Sequence, residues 1–174
     1  IASKTGAKVT AIELQSDQNN LASNLTNRCG LATRVNHLCG DILDYDFKGQ
    51  KFDAVVSWLT LYHITNHKIL LTKLNDLLNL NGFFYTEDIT SRVDLSDAEL
   101  KDIEKEIYGK HLPSFDKYIS NLEHNGFSVI SSEDMSNSWT EFTKTRIKTY
   151  NSEKDRNIRV HGKEVVESLE SFYN

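Results

Sequence analysis

Four short stretches hold most of the side chains able to bind or transform a ligand: Glu13-Leu14, Gly40-Asp41-Ile42, Ser57-Trp58-Leu59 followed by His63, and Glu87-Asp88. Carboxylates can take hydrogen bonds from hydroxyls or hold an ammonium. An indole face can receive a cation, and a histidine can exchange a proton near neutral pH. Glu13 is the most specific of these residues. An acid that closes a strand can accept two hydrogen bonds from a ribose diol, and it normally follows a glycine-rich turn by ~20 residues. Counting back from Glu13 leads before residue 1, and no G-x-G occurs in the chain. The opening strand and its loop are therefore expected to be absent. Ile1 at the start and Met135 as the sole methionine accord with an expected fragment or processed piece.

Other constellations are weaker. His63 and His67 are spaced to share a helix face, but Ile64 stands where a zinc protease needs Glu and no third ligand is evident, so no metal site is expected. Cys29 and Cys39 lack C-x-x-C spacing and are expected to be reduced, buried and inert. Glu153-Lys154-Asp155-Arg156 alternates in sign and reads as a solvated turn or helix face.

The elements that must position these residues can be read from periodicity. Residues 8–13 form a β-branched apolar run, with Ser16 and Asp17 as candidate caps of a helix that Gly30 stops. Further strands are expected at about 34–39, at Phe52–Ser57, at Phe83–Glu87 and at Phe127–Ile130. Ile69, Leu70, Leu74, Leu77 and Leu78 stripe a helix that Asn81-Gly82 closes, and two polar helices cover about 96–108 and 114–125. The residues after 137 read as helical. Strands alternating with helical segments define an α/β, doubly wound parallel sheet, in which ligands lie beyond the carboxyl ends of the strands. All four stretches fall there. One domain over 1–174 is expected, with 89–126 as a substrate-side insertion.

The chain has 174 residues and a net charge of −5, with mean hydropathy −0.48 and a pI near 5.7. That balance argues against nucleic-acid binding through overall charge. No apolar run approaches a membrane span and nothing reads as a signal peptide, so a cytoplasmic protein without a membrane partner is expected. Oligomeric state has no signature here.

Ala7-Lys-Val-Thr-Ala-Ile-Glu13, Gly40-Asp41, Phe52-Asp-Ala-Val-Val-Ser57 with Leu61-Tyr62-His63, Leu77 to Gly82, and Glu133-Asp-Met-Ser-Asn-Ser-Trp139 occur in an order and spacing that resembles a class I S-adenosylmethionine-dependent methyltransferase. The similarity is greatest to small-amine N-methyltransferases of the sarcosine/dimethylglycine type, with phosphoethanolamine methyltransferases as relatives. The resemblance implies a Rossmann-like sheet of seven strands in the order 3-2-1-4-5-7-6, of which strands 1 and 7 find no match here. It also implies S-adenosyl-L-methionine as cofactor and a small-molecule amine as substrate. Glu13 would bind the ribose hydroxyls, with Leu14 beside it. Asp41 would bind the adenine amino group with Ile42 on the ring, and Ser57 and Trp58 would border the methionine moiety. His63 matches a catalytic histidine of the phosphoethanolamine enzymes, whereas Leu59 stands where those enzymes have an acid.

Several roles stay open at this level. His63 could deprotonate an acceptor ammonium or merely satisfy backbone. Trp58 could face a cation or join the core. Glu87 and Asp88 could hold a substrate ammonium or cap the segment at Thr90-Ser91. Tyr108, Tyr118 and Phe115 could form an aromatic wall for a methylated ammonium or the apolar side of two helices. The competing functional readings are a dinucleotide-binding oxidoreductase and a binding module that has lost its chemistry. Other methyl acceptors, such as phosphoethanolamine or a quinone precursor, are also open.

Overall fold

A computed structural model describes residues 1–173. Their order is α1 (Ala2–Thr5), β1 (Val9–Glu13), α2 (Ser16–Arg28), β2 (Val35–Cys39), β3 (Phe52–Trp58), a 3-10 turn (Leu61–His63), α3 (His67–Leu77), β4 (Leu78–Glu87), α4 (Asp97–Ile107), α5 (Phe115–His124), α6 (Ser136–Ser152), α7 (Lys154–His161) and α8 (Lys163–Tyr173). Both strand pairs are parallel. β1 runs beside β2 from Val9↔Val35 to Glu13↔Cys39, and β3 beside β4 from Ala54↔Phe83 to Trp58↔Glu87. Among the described residues no ladder joins β1 to β3.

The core lies on the β3–β4 side. α3 presents Leu70, Leu71, Leu74 and Leu77 at helical spacing, and all four are buried. Leu61, Leu70 and Leu74 form one cluster, against which Val55 and Phe84 pack from the strands and Ile42 and Leu43 from the loop after β2. Lys73 ties that loop down, its Nζ donating to the carbonyls of Leu43 (2.7 Å) and Tyr45 (2.8 Å). Leu71, Tyr118 and Leu122 form a second cluster beneath α5. The other face of β3–β4 is open, with Val56, Trp58, Phe83 and Tyr85 all exposed.

Several local expectations are corrected. Gln15, not Ser16, occupies the N-cap of α2, and its amide is taken by Glu13 Oε1 at 2.8 Å. α3 ends at Leu77 and runs straight into β4. Asn81-Gly82 instead forms the irregularity within β4: Asn81 has φ 62°, and a Cβ on Gly82 would stand 2.9 Å from the Asn79 carbonyl and 3.2 Å from that of Asp53. Residues 127–130 form no strand. Phe127 and Val129 still pack on the second cluster, but a parallel ladder needs a neighbour, and among the described residues no strand pairs with this segment. Cys29 and Cys39 are unbridged as expected, yet both are exposed. Among the described residues no helix is long and apolar enough to cross a membrane.

Candidate functional site

The carboxyl ends of the two strand pairs collect the residues singled out in the sequence. At the end of β1, Glu13 Oε1 accepts the Gln15 amide, and the Gly40 amide donates to the Glu13 carbonyl at 2.9 Å. Gly40 leaves room for the Tyr45 ring, which a Cβ would meet at 2.9 Å. Asp41 follows, with Oδ1 accepting the Leu43 amide at 2.8 Å. Each acid thus uses one oxygen on its own loop and can turn the other to a ligand. Leu14 is exposed, and Ile42 lies half-buried against the core.

At the end of β3 the chain turns sharply. Leu59 adopts φ 50°, a left-handed conformation that costs a leucine about 1–2 kcal/mol, and its amide donates to the Glu87 carbonyl at 2.8 Å. This turn leaves Trp58 half exposed, tilted against Tyr85 with ring centroids 6.2 Å apart, so Trp58 is not a core residue. Glu87 is engaged by the Tyr85 hydroxyl. Ser57 sits beside Thr86 in the ladder.

Asp88 and His63 meet at the centre. Asp88 Oδ1 accepts the amides of Tyr62 (3.3 Å) and Ile89 (3.1 Å), and its Oδ2 accepts from the Tyr118 hydroxyl at 3.5 Å. Asp88 therefore braces the 3-10 turn and does not cap Thr90-Ser91. Burial pushes its carboxyl up to about 6, against the pull of the Ile89 and Tyr62 amides, the Tyr118 hydroxyl and the charge of His63. Burial, followed by the Asp88 charge, raises the Tyr118 phenol. His63 Nδ1 lies 3.0 Å from the Tyr108 carbonyl. A carbonyl can only accept, so Nδ1 carries the proton and Nε2 is the basic nitrogen.

The two tyrosines part company. Tyr118 is buried and belongs to the apolar side of α5, but its hydroxyl reaches Asp88. Tyr108 is 72% exposed and contributes its carbonyl to the centre. Phe115 is also exposed.

Sequence reasoning missed three participants: the Tyr62 backbone, His67 in any role but metal binding, and His111. Their signal was burial, which periodicity around isolated histidines does not report. Among the described residues no group of three or more His, Cys, Asp or Glu is disposed to hold a metal ion.

Parallel strand pairs with acids at their carboxyl ends, and a histidine after β3 bound to the Tyr108 carbonyl, form a Rossmann-like arrangement. Residues 1–86 match a family model described as a methyltransferase domain. Solved structures agree over the whole chain. A structure titled a putative sarcosine dimethylglycine methyltransferase from Galdieria sulphuraria superposes with TM-score 0.83 at 14% identity, covering 99% of this chain and 63% of that one. Phosphoethanolamine N-methyltransferase 2 from Haemonchus contortus, in complex with phosphomonomethylethanolamine and S-adenosylhomocysteine, superposes with TM-score 0.88 at 19% identity, covering 99% and 40%. The cyclopropane synthase MmaA2 from Mycobacterium tuberculosis gives 0.81 at 14%, covering 99% and 65%. The chain thus spans less than two thirds of each. A search of the curated proteins found no match. The family match over residues 1–86 and the shared fold together make this chain similar to class I methyltransferase domains, the class that uses S-adenosylmethionine.

The residues present fit that cofactor in part. Glu13 and Asp41 each keep an oxygen for hydroxyl or amino donors, and Trp58 offers an exposed ring face for a sulfonium. No glycine-rich turn is among them.

Proposed function

We propose that the protein transfers a methyl group from S-adenosylmethionine to the nitrogen of a small amine of the sarcosine or dimethylglycine kind. The observation that carries this reading is the convergence of His63, Asp88 and Tyr118 at the carboxyl end of β3–β4, beside an exposed Trp58. An acid and a base side by side suit an acceptor that arrives as an ammonium and must react as an amine.

In this reading Glu13 holds the ribose hydroxyls with Leu14 alongside, Asp41 and Ile42 hold the adenine, and Ser57 and Trp58 border the methionine end. The bound cofactor supplies an electrophilic methyl group on a sulfonium. Asp88 and Tyr118 orient the acceptor ammonium. His63 takes its proton at Nε2, which frees the nitrogen lone pair for in-line attack. Positioning supplies most of the rate. Glu87, paired with Tyr85, and the exposed Tyr108 form the rim on the acceptor side.

A second reading, a methyltransferase-fold binding module without activity, is favoured by one observation: among the described residues no strand joins β1 to β3. Titration of S-adenosylhomocysteine, with Glu13→Ala and Asp41→Ala as controls, tests the cofactor site. Labelled methyl transfer to dimethylglycine, sarcosine, phosphoethanolamine and a quinone precursor tests the acceptor. Binding weakened by both substitutions, with transfer to an amine, is expected. Binding without transfer selects the module, and an absence of binding sinks both.

A further inference from the structure

His67 and His111 are packed face to face, their ring centroids 3.7 Å apart and their planes 26° from parallel. His67 is 5% exposed at the start of α3, and its Nε2 lies 2.8 Å from the Leu61 carbonyl, so Nε2 carries the proton. Tyr118 closes the pair edge-on, 6.2 Å from His67. His111 belongs to the segment between α4 and α5, and that segment is bonded to the same turn: the amides of Lys110 (2.8 Å) and His111 (3.0 Å) both donate to the Tyr62 carbonyl. Three successive residues are thereby held from outside, Leu61 by the His67 ring, Tyr62 by the Lys110 and His111 amides, and His63 by the Tyr108 carbonyl.

We propose that the His67–His111 stack is a positioning pair, which docks residues 108–111 on the 3-10 turn and so keeps His63 in the Nδ1–H tautomer with Nε2 as the base. The inference deepens the proposed function and rests on its reading of His63.

Two features separate the pair from ordinary packing. His111 Nε2 is buried without a partner, a loss that an apolar ring in the same space would not incur. The stack also needs both rings neutral, because two imidazolium ions at this distance would repel. Burial lowers both. His111 is held down to about 4 by burial and by the neighbouring charges of His67 and Lys117, and His67 is lowered by burial against its bond to Leu61. Without the stack, the segment keeps only backbone bonds to the turn, and the His63 ring can rotate away from the Tyr108 carbonyl.

The test is the imidazole nitrogen spectrum of His63 in the wild-type protein, in His111→Phe, which keeps an aromatic face against His67, and in His111→Leu, which fills the space without one. The Nδ1–H signature is expected in the wild type and in His111→Phe. In His111→Leu it should give way to a mixture dominated by Nε2–H. Methyl transfer should follow, with kcat falling about tenfold in His111→Leu, KM for the acceptor moving less than about twofold, and Phe restoring the rate. An Nε2–H tautomer in the wild type, or an unchanged spectrum in His111→Leu, overturns the proposal. The spectrum is independent of turnover: the expected tautomers in a protein that binds no S-adenosylhomocysteine leave the positioning pair standing and remove the methyltransferase reading.

Discussion

Asp88 and Tyr118 face each other at the carboxyl end of β4, Oδ2 to hydroxyl at 3.5 Å, while the other oxygen of Asp88 binds the amides that follow β4 and open the 3-10 turn. This long contact and the two amides together offset only part of the desolvation of the carboxyl, which stays near 6. The group is half-ionised near pH 6 and responds to a cation placed beside it. A substrate ammonium that pulls Asp88 into its charged form would be selected over a neutral acceptor.

That displaced titration sets a stability trend. As pH rises past the ordinary carboxylate range, the unfolded chain releases the Asp88 proton while the folded chain keeps it until about 6. Over this window the folded state loses on the order of 2 kcal/mol, allowing for partial solvent access. Asp88→Asn keeps the carbonyl acceptor for both amides and cannot ionise. Its stability relative to wild type should therefore rise between pH 4 and pH 6.5 and stay level above. Urea unfolding midpoints of both proteins at pH 4.5 and pH 7.5 measure this. His67 and His111 are depressed in the folded state, so they act oppositely, but they cancel in the difference. An equal difference at the two pH values would show that Asp88 titrates normally.

His63 separates chemistry from binding. His63→Ala should lower kcat by about 10²–10⁴-fold, the usual contribution of a positioned base, and leave S-adenosylhomocysteine affinity within about twofold. Single-turnover transfer beside a titration checks this. Equal losses of rate and cofactor affinity would place His63 in the cofactor site instead.

The strands and α3 were legible in the sequence because they depend on local pattern: β-branched runs at Val9–Glu13 and Phe52–Trp58, and a leucine stripe from Leu70 to Leu77. The strand-end acids followed from the α/β class. What stayed hidden depends on distant partners. Asp88 meets Tyr62 across 26 residues, and the Tyr108 carbonyl reaches His63 across 45. Nothing in either local sequence records those distances. The segment 127–130 shows the converse: its strand pattern is real, yet pairing is a property of two segments, and its neighbour is lacking.

Cys29 lies at the C-cap of α2 and Cys39 at the end of β2, and both are exposed. Each should react with a thiol reagent such as Ellman's in the native protein at the rate of an accessible thiol, without a lag for unfolding. One fast and one unfolding-limited thiol would contradict the exposure of the slower residue.

The two strand pairs should differ in local stability. The β3–β4 pair rests on α3, where Leu70 and Leu71 are 0% and 2% exposed, and burying such a side chain contributes about 1.5–3 kcal/mol. The β1–β2 pair rests on α2, which has no buried residue and leaves Leu21 and Leu25 exposed. Among the described residues no ladder transmits stability between the pairs, and the loop of Ile42 and Leu43 packed on the first cluster links them. In the 174-residue polypeptide, amide exchange should therefore be faster in β1, β2 and α2 than in β3, β4 and α3. Heating should melt far-ultraviolet and near-ultraviolet dichroism at different temperatures. Leu70→Ala should cost about 2–5 kcal/mol and accelerate exchange in β3–β4 far more than in β1–β2. A single sharp transition, coincident by both signals and with uniform protection across the four strands, would mean that the loop contacts alone couple the two halves into one cooperative unit.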